Sequence, residues 1–222
     1  MTARPFVIAI DGPAASGKGT LARRLAEHFG FAHLDTGALY RATAFLVLDQ
    51  AGDPADPVVA AQAAGLVHPR LLLDPRLRGE AVSAAASVVA AIPVVRQTLL
   101  DLQRNFAAHP PKPAKGAILD GRDIGSVVCP AAEVKLFVTA SAEERARRRV
   151  EELRQQGTAA IFEEVLQDLK ERDARDSGRR VGPLTEAPDA IVVDTTTLDA
   201  DAVFERASNL IARVIKEKEW KR

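Results

Sequence analysis

Residues Ile8-Ala9-Ile10-Asp11-Gly12-Pro13-Ala14-Ala15-Ser16-Gly17-Lys18-Gly19-Thr20 run from an apolar stretch straight into a Gly-x-x-x-x-Gly-Lys loop, and a helical pattern follows. Strand, glycine loop and helix in that order make a phosphate-binding P-loop. Glycines let the backbone adopt left-handed dihedrals and approach an anion closely. The amides of Gly12, Pro13's neighbours Ala14 and Ala15, and then Ser16, Gly17, Lys18, Gly19 and Thr20 can face phosphate oxygens, reinforced by the positive end of the helix. Lys18 can reach the outer phosphates as a point charge. A plain turn between a strand and a helix would account for Gly12 and Gly17 but not for Lys18 at the helix mouth. The usual Ser/Thr after the lysine is Gly19 here, with the hydroxyl one residue later at Thr20.

Two further polar constellations follow apolar runs, and a third lies on a helical pattern. Asp35-Thr36-Gly37-Ala38-Leu39-Tyr40-Arg41 opens a helix. Thr36 can cap it or contact a bound phosphate, and Arg41 can grip phosphate bidentately. Ordinary capping plus a surface arginine is the alternative. In Leu119-Asp120-Gly121-Arg122-Asp123-Ile124-Gly125 a strand ends in Asp and a glycine-flanked Arg-Asp pair follows. Parallel α/β sheets place ligands at the carboxyl ends of their strands. Asp120 could hold a magnesium shell through water, Arg122 could bind a substrate phosphate, and Asp123 could accept from a sugar or base. A tight turn with a local salt bridge is the simpler reading. The third, Lys170 to Arg180, holds four arginines and one lysine, with Arg172, Asp176 and Arg179 spaced i, i+4 and i+7. It reads as a solvated helix face or as a mobile lid carrying cations for phosphoryl transfer. On a preceding helical segment, Arg145 and Arg149 lie one turn apart and could stack on a nucleotide base or meet its phosphates.

Hydrophobic patterning gives the secondary structure around these residues. Apolar runs at Phe6–Ile10, Ala117–Leu119, Val134–Val138 and Ala190–Val193, with a shorter one at Phe31–Leu34, read as buried parallel strands. Helical patterns lie at Lys18–Phe29, Thr36–Gln50, Ser141–Gln155, Thr158–Arg175 and Asp199–Glu217, the third opening on a Ser141/Glu144 capping box. This alternation predicts an α/β fold with a five-stranded parallel sheet covered on both faces. Residues from about 52 to 116 break it. They read as an inserted helical lobe: an alanine-rich helix, a helix opening at Pro93, then a stiff proline-rich connection. The expected organisation is one unit, with a core of 1–51, 117–150 and 184–222, the lobe at about 52–116, and a lid at about 151–183.

Composition narrows the function. The chain has 222 residues, 47% hydrophobic and 27% charged, with 30 Lys+Arg against 30 Asp+Glu. That balance gives no sign of a nucleic-acid or membrane partner. The lone Cys129 excludes an intrachain disulfide and a cysteine zinc site, and reads as a small core residue at a strand end. His28, His33, His68 and His109 show no metal-ligand spacing, and no covalent-catalysis arrangement stands out. The stretch Ala81–Val95 is too short and interrupted to span a bilayer. Only five apolar residues precede Asp11, so no secretory leader is expected. A cytoplasmic monomer is expected.

Together these motifs resemble the bacterial cytidylate kinases, a family of nucleoside monophosphate kinases. The matching residues are Ile10 to Pro13 with Gly17-Lys18-Gly19-Thr20, Asp35 to Arg41, Asp120 to Gly125, Ser141 to Arg145, Lys170 to Asp173 with Arg175-Asp176, Pro183-Leu184, Ala187 to Ala190 and Asp194-Thr195-Thr196. The resemblance runs in order through nearly the whole chain. It implies a P-loop kinase fold with a lid and an inserted monophosphate-binding lobe, ATP phosphates on Gly12–Thr20, and Mg2+ held through water with Thr20 and Asp120 nearby. It implies a CMP or dCMP phosphate near Thr36, Arg41 and Arg122, and base contacts from Ser87 and Arg96. It further implies Asp123 near the nucleoside, Asp176 near the sugar, and catalytic roles for Lys18, Arg122, Arg172 and Arg179. Residues 69–86 look shorter than the family's usual β-rich piece, which bears on base selectivity, and Thr36 replaces a frequent serine. A P-loop kinase for another small acceptor (UMP, AMP, shikimate or dephospho-coenzyme A) or a non-catalytic nucleotide-binding protein remains an alternative.

Overall fold

The computed structural model describes residues 4–155 and 157–220. Five strands form one wholly parallel sheet: β1 (Phe6–Asp11), β2 (Ala32–Asp35), β3 (Gly116–Gly121), β4 (Val134–Thr139) and β5 (Ile191–Asp194), in the order β2-β3-β1-β4-β5. The central strand β1 is flanked on both sides, and its alternate residues feed two cores. Val7 and Ala9 join Leu34, Ala117 and Leu119 on one face. Ile8 and Ile10 join Ile118, Leu136, Val138 and Val193 on the other. A strand buried on both faces must be apolar along its length, as β1 and β3 are up to the aspartates Asp11 and Asp120 at their carboxyl ends.

Helix α1 (Lys18–Phe29) lies on the second face with α8 (Ala200–Trp220). It buries Leu21, Ala22, Leu25 and Ala26 and ends at Gly30, whose left-handed backbone (φ 64°) lets its N–H reach the Ala26 and Glu27 carbonyls. The first face is covered by α2 (Thr36–Asp49), α3 (Pro57–Gly65), α4 (Glu80–Val89) and α5 (Pro93–Ala108). Asp35, not Thr36, caps α2, accepting from the Ala38 amide at 3.1 Å. Between α3 and α4 the chain makes two 3-10 turns, Leu71–Leu73 and Pro75–Arg78. Among the described residues, 52–115 contain helices and turns only.

Helix α6 (Ala142–Gln155) keeps half of the expected capping box. The Glu144 amide donates to Ser141 Oγ at 3.2 Å, while the Glu144 carboxylate turns outward to Arg147 and Arg148. Helix α7 (Phe162–Ser177) starts four residues later than the sequence pattern suggests. Gly157, at φ 79°, makes a left-handed turn after α6, and the helix restarts only where Phe162, Val165, Leu166 and Leu169 can pack on Ala14 and Ala146. Asp199 caps α8 as read from sequence. Among the described residues, no single helix is long and apolar enough to cross a membrane.

Candidate active site

The P-loop emerges from β1 at the centre of the sheet. Gly12 takes φ 151° and passes so close to β4 that a Cβ there would lie 2.0 Å from the Val138 carbonyl oxygen. Ala15 (φ 57°) and Gly17 (φ 87°) are left-handed, and Gly17 starts α1 with no side chain capping the helix. A non-glycine residue held left-handed costs energy and is typical of ligand loops. The first amides of α1 are thereby left for an incoming anion. Lys18 folds back to donate to the Pro13 carbonyl at 3.1 Å. Burial pushes its ammonium down to about 7, the charges of Arg122 and Arg172 push the same way, and Asp120 and Asp35 oppose them.

A cavity of about 490 Å³ opens over this loop. Ala14 to Thr20 line it, whereas Gly12 and Pro13 lie beneath. Ten cationic side chains in its wall face five carboxylates, in a chain whose total charge is zero. The surplus is a local field suited to several phosphates.

Opposite the P-loop, segments far apart in sequence converge. Arg122 Nε donates to Asp176 Oδ2 at 2.8 Å, and Arg179 pairs with Asp176 Oδ1. Asp176 is 1% exposed, and those arginines hold its carboxyl below the usual range against the opposing effect of burial. Arg41 Nη2 donates to Asp35 Oδ2 at 2.7 Å. Arg172 is pushed down to about 10, first by burial and then by the charge of Arg122. Arg41, Arg172 and Arg179 each keep a buried Nε with no hydrogen-bond partner among the described residues. Orphaned buried donors are rare in native proteins. Here all three line one cavity, together with the likewise unpartnered Ser16 hydroxyl.

A third region of the cavity sets a buried ion pair among polar side chains. Arg96, on α5 and 7% exposed, donates to Asp123 Oδ2 at 2.5 Å and to the Ala90 carbonyl at 3.2 Å, with its guanidinium over the Tyr40 ring. Ser87 lines the wall from α4, and Arg175 of α7 reaches its Oγ at 3.4 Å. The chain after α7 returns over this group. The Leu184 amide donates to the Asp176 carbonyl at 2.9 Å, and the Gly182 backbone presses against Arg96 and Asp123.

Thr36 and Asp120 lie where β2 and β3 end. The Thr36 hydroxyl donates to the Asp120 carbonyl at 2.7 Å, so it braces the two strand ends while lining the cavity. Asp120 Oδ1 meets His33 Nε2 at 2.7 Å, and Oδ2 faces the P-loop beside Gly19. Thr20 lines the same cavity and accepts from Arg23 at 3.3 Å. Among the described residues no three His, Cys, Asp or Glu side chains gather to ligate a metal directly. One carboxylate and one hydroxyl beside a phosphate loop suit a cation that keeps most of its water, as magnesium does.

One expected residue is placed elsewhere. Arg145 does not line the cavity. It is 5% exposed and spends its guanidinium on the Ala140 and Ala14 carbonyls and on Asp173 of α7, an ion pair at 2.7 Å. Arg149 does line it, paired with Glu152, and so does Arg148, which donates to Thr195 through Nη1 at 2.9 Å and Nη2 at 2.6 Å. Arg148 also borders a second cavity of about 360 Å³ behind the P-loop, between Leu21 and Arg24 of α1 and the segment Thr195 to Ala200. Sequence reasoning passed over Arg148, Thr195, Asp35, Tyr40 and Arg78 as lining residues. Asp35, Tyr40 and Thr195 lay inside quoted motifs and Arg148 inside the arginine cluster at 145–149, whereas Arg78 carried no signal.

Compared with known proteins, residues 8–213 match the profile of the family described as cytidylate kinase. The chain belongs to the cytidylate kinase family. The cytidylate kinase of Rhodospirillum rubrum is 56% identical over 207 residues, covering 93% of this chain and 97% of that protein. That of Granulibacter bethesdensis is 56% identical over 208 residues, with 94% and 97% covered. A crystal structure of an uncharacterized protein from Eubacterium ventriosum aligns over 96% of this chain and 99% of that one at 14% identity, with a TM-score of 0.53, a likeness of fold alone. As a cytidylate kinase family member the chain is a nucleoside monophosphate kinase on a P-loop fold, and the alternative of a non-catalytic nucleotide-binding protein is set aside.

Proposed function

We propose that this kinase transfers the γ-phosphoryl group of ATP to the 5′-phosphate of CMP, and of dCMP, giving CDP or dCDP and ADP. The observation that carries the reading is the set of buried, unpartnered Nε donors of Arg41, Arg172 and Arg179 facing the P-loop across one cavity. A second phosphate, entering opposite the first, would satisfy all three. The relatives named cytidylate kinase support cytosine as the acceptor base. The Arg96–Asp123 pair with Ser87 and Tyr40 supports it further, since it offers a donor and an acceptor side by side on one wall.

In this reading Ala14 to Thr20 hold the donor phosphates and Lys18 leaves Pro13 to meet them. The donor base occupies the cavity between Arg24, Arg148 and Thr195. The acceptor phosphate sits among Arg41, Arg122, Arg172 and Arg179, and Asp176 meets the sugar from the middle of its arginine pair. The acceptor is already an anion at neutral pH, so no strong base is needed, and rate enhancement comes from in-line positioning and charge stabilisation. Thr20 and Asp120 would hold magnesium through water, and the ion would add neutralisation of the phosphates. Residues 52–116 act as the acceptor lobe and 151–183 as a lid that excludes water on closing. The same proposal places the enzyme in the cytoplasm as a monomer.

A coupled assay of ADP release with ATP, magnesium and a panel of CMP, dCMP, UMP and AMP tests it. Turnover highest with CMP and dCMP is expected. Turnover confined to AMP or UMP, or none with any acceptor, contradicts it.

A further inference from the structure

Asp11 is the last residue of β1 and stands immediately before the P-loop. Its carboxylate does not enter the cavity. It is 4% exposed and accepts two backbone amides, Ile124 N on Oδ1 and Gly125 N on Oδ2, each at 2.7 Å. Those amides belong to the turn that follows Arg122 and Asp123. One side chain therefore ties the strand that launches the donor loop to the turn that carries the acceptor contacts. A carboxylate accepting two amides in a fork fixes both position and orientation. Burying it without such partners would be strongly unfavourable.

The two ends of this tie differ in what else holds them. The start of the P-loop is fixed by the β1 backbone, where Asp11 aligns with Gly121 on one side and Phe137 on the other. Gly12 is wedged against Val138. None of this uses the Asp11 side chain. The Arg122–Asp123 turn leaves the sheet, and Asp123 begins a π-type turn through Ile124–Val128. The turn starts from Gly121 at the end of β3, and Ile124 and Val128 bury in the first-face core. The polar contacts that hold its backbone are the Asp11 fork and, farther along, Arg104 bonds to the Val127 and Val128 carbonyls, while its side chains pair as Arg122–Asp176 and Arg96–Asp123. Those pairs depend on where the turn is.

We propose that Asp11 is a positioning residue for the acceptor side of the reaction: its forked bond to the Ile124 and Gly125 amides sets Arg122 and Asp123 in register with the P-loop. This rests on the function proposed above. Asp11→Ala removes the fork, and Asp11→Asn keeps its shape with a single acceptor. Thermal unfolding establishes that each variant is folded. Asp11→Asn carries the test if Asp11→Ala does not fold. Steady-state kinetics are then measured with each substrate varied in turn.

The expected result is a rise of at least tenfold in the KM for CMP and a fall in kcat, with the KM for ATP changed less than threefold and Asp11→Asn intermediate. A smaller rise for CMP, or a parallel rise for ATP, overturns the proposal and reduces Asp11 to a purely structural residue. If the unmodified enzyme fails to phosphorylate CMP, the functional reading falls first and this inference with it. A working enzyme whose variants show no such split sinks the inference alone.

Discussion

Arg122 donates to Asp176 at 2.8 Å across 54 residues of sequence, and this bond joins the turn after β3 to helix α7. Asp176 also pairs with Arg179, so one buried carboxylate orders two guanidinium groups. The carboxylate neutralises only part of the surrounding charge. Arg172 and Arg41 remain nearby with unpartnered Nε donors.

Removing a cation that faces the reacting phosphates should slow the reaction far more than it weakens the fold. Lys18→Ala and Arg122→Ala are each expected to lower kcat by about 100- to 1,000-fold, on the order of 3–4 kcal/mol of barrier. Stopped-time assays of CDP formation check this. Near-normal turnover in both variants contradicts the assigned roles.

Asp176 should behave differently from the arginines it orders. Asp176→Asn keeps the shape and removes the charge, leaving Arg122 and Arg179 to repel each other. Unpairing a buried charge costs about 3–5 kcal/mol, so a lower melting temperature is expected together with a raised KM for CMP. Bound CMP should restore part of the lost stability, because its phosphate replaces the missing negative charge. Thermal shifts with and without CMP read this directly.

Arg145 offers a contrast with Arg148. Its contacts to Ala14, Ala140 and Asp173 are internal, so Arg145→Met should destabilise the protein by about 3 kcal/mol. The KM for ATP should change less than in Arg148→Met, whose side chain borders both cavities. Equilibrium unfolding and ATP-dependent kinetics on the two variants separate the roles. A larger rise in the KM for ATP in Arg145→Met than in Arg148→Met would place Arg145 at the nucleotide after all.

The pH dependence of stability should carry the mark of Asp11. Burial raises its carboxyl from 3.8 to about 6, against the lowering effect of the two amides. The folded state therefore binds this proton more tightly than the unfolded chain does. Its stabilising contribution is complete below pH 3.8 and is lost as pH rises through about 6. At neutral pH the buried charge costs about 3 kcal/mol. Asp11→Asn lacks this titration, so its stability relative to the unmodified protein should improve between pH 4 and pH 7. Denaturant titrations at several pH values test it, and parallel curves for the two proteins contradict it.

The five strands, the glycine loop and the first helix were legible because their signals are local. Apolar runs of three to five residues end in polar turns, and Gly12 and Gly17 sit where the backbone must bend. Thr36, Arg41, Ser87, Arg96, Arg122, Asp123, Arg172, Asp176 and Arg179 do line one cavity. That grouping came from family resemblance more than from spacing. Pairings such as His33–Asp120 and Asp11 with Ile124 were not legible, because they join segments 87 and 113 residues apart. The placement of Arg145 outside the cavity lining was hidden for a similar reason. Helical spacing shows that Arg145 and Arg149 share a side of α6, but only the packing of α7 decides which of them is covered.

A crystal structure of the protein with CMP decides where the acceptor phosphate binds. The predicted result is a 5′-phosphate within hydrogen-bond distance of the Nε atoms of Arg41, Arg172 and Arg179, with the cytosine against Arg96 and Asp123. A phosphate bound elsewhere, with those three donors still lacking acceptors, would contradict it.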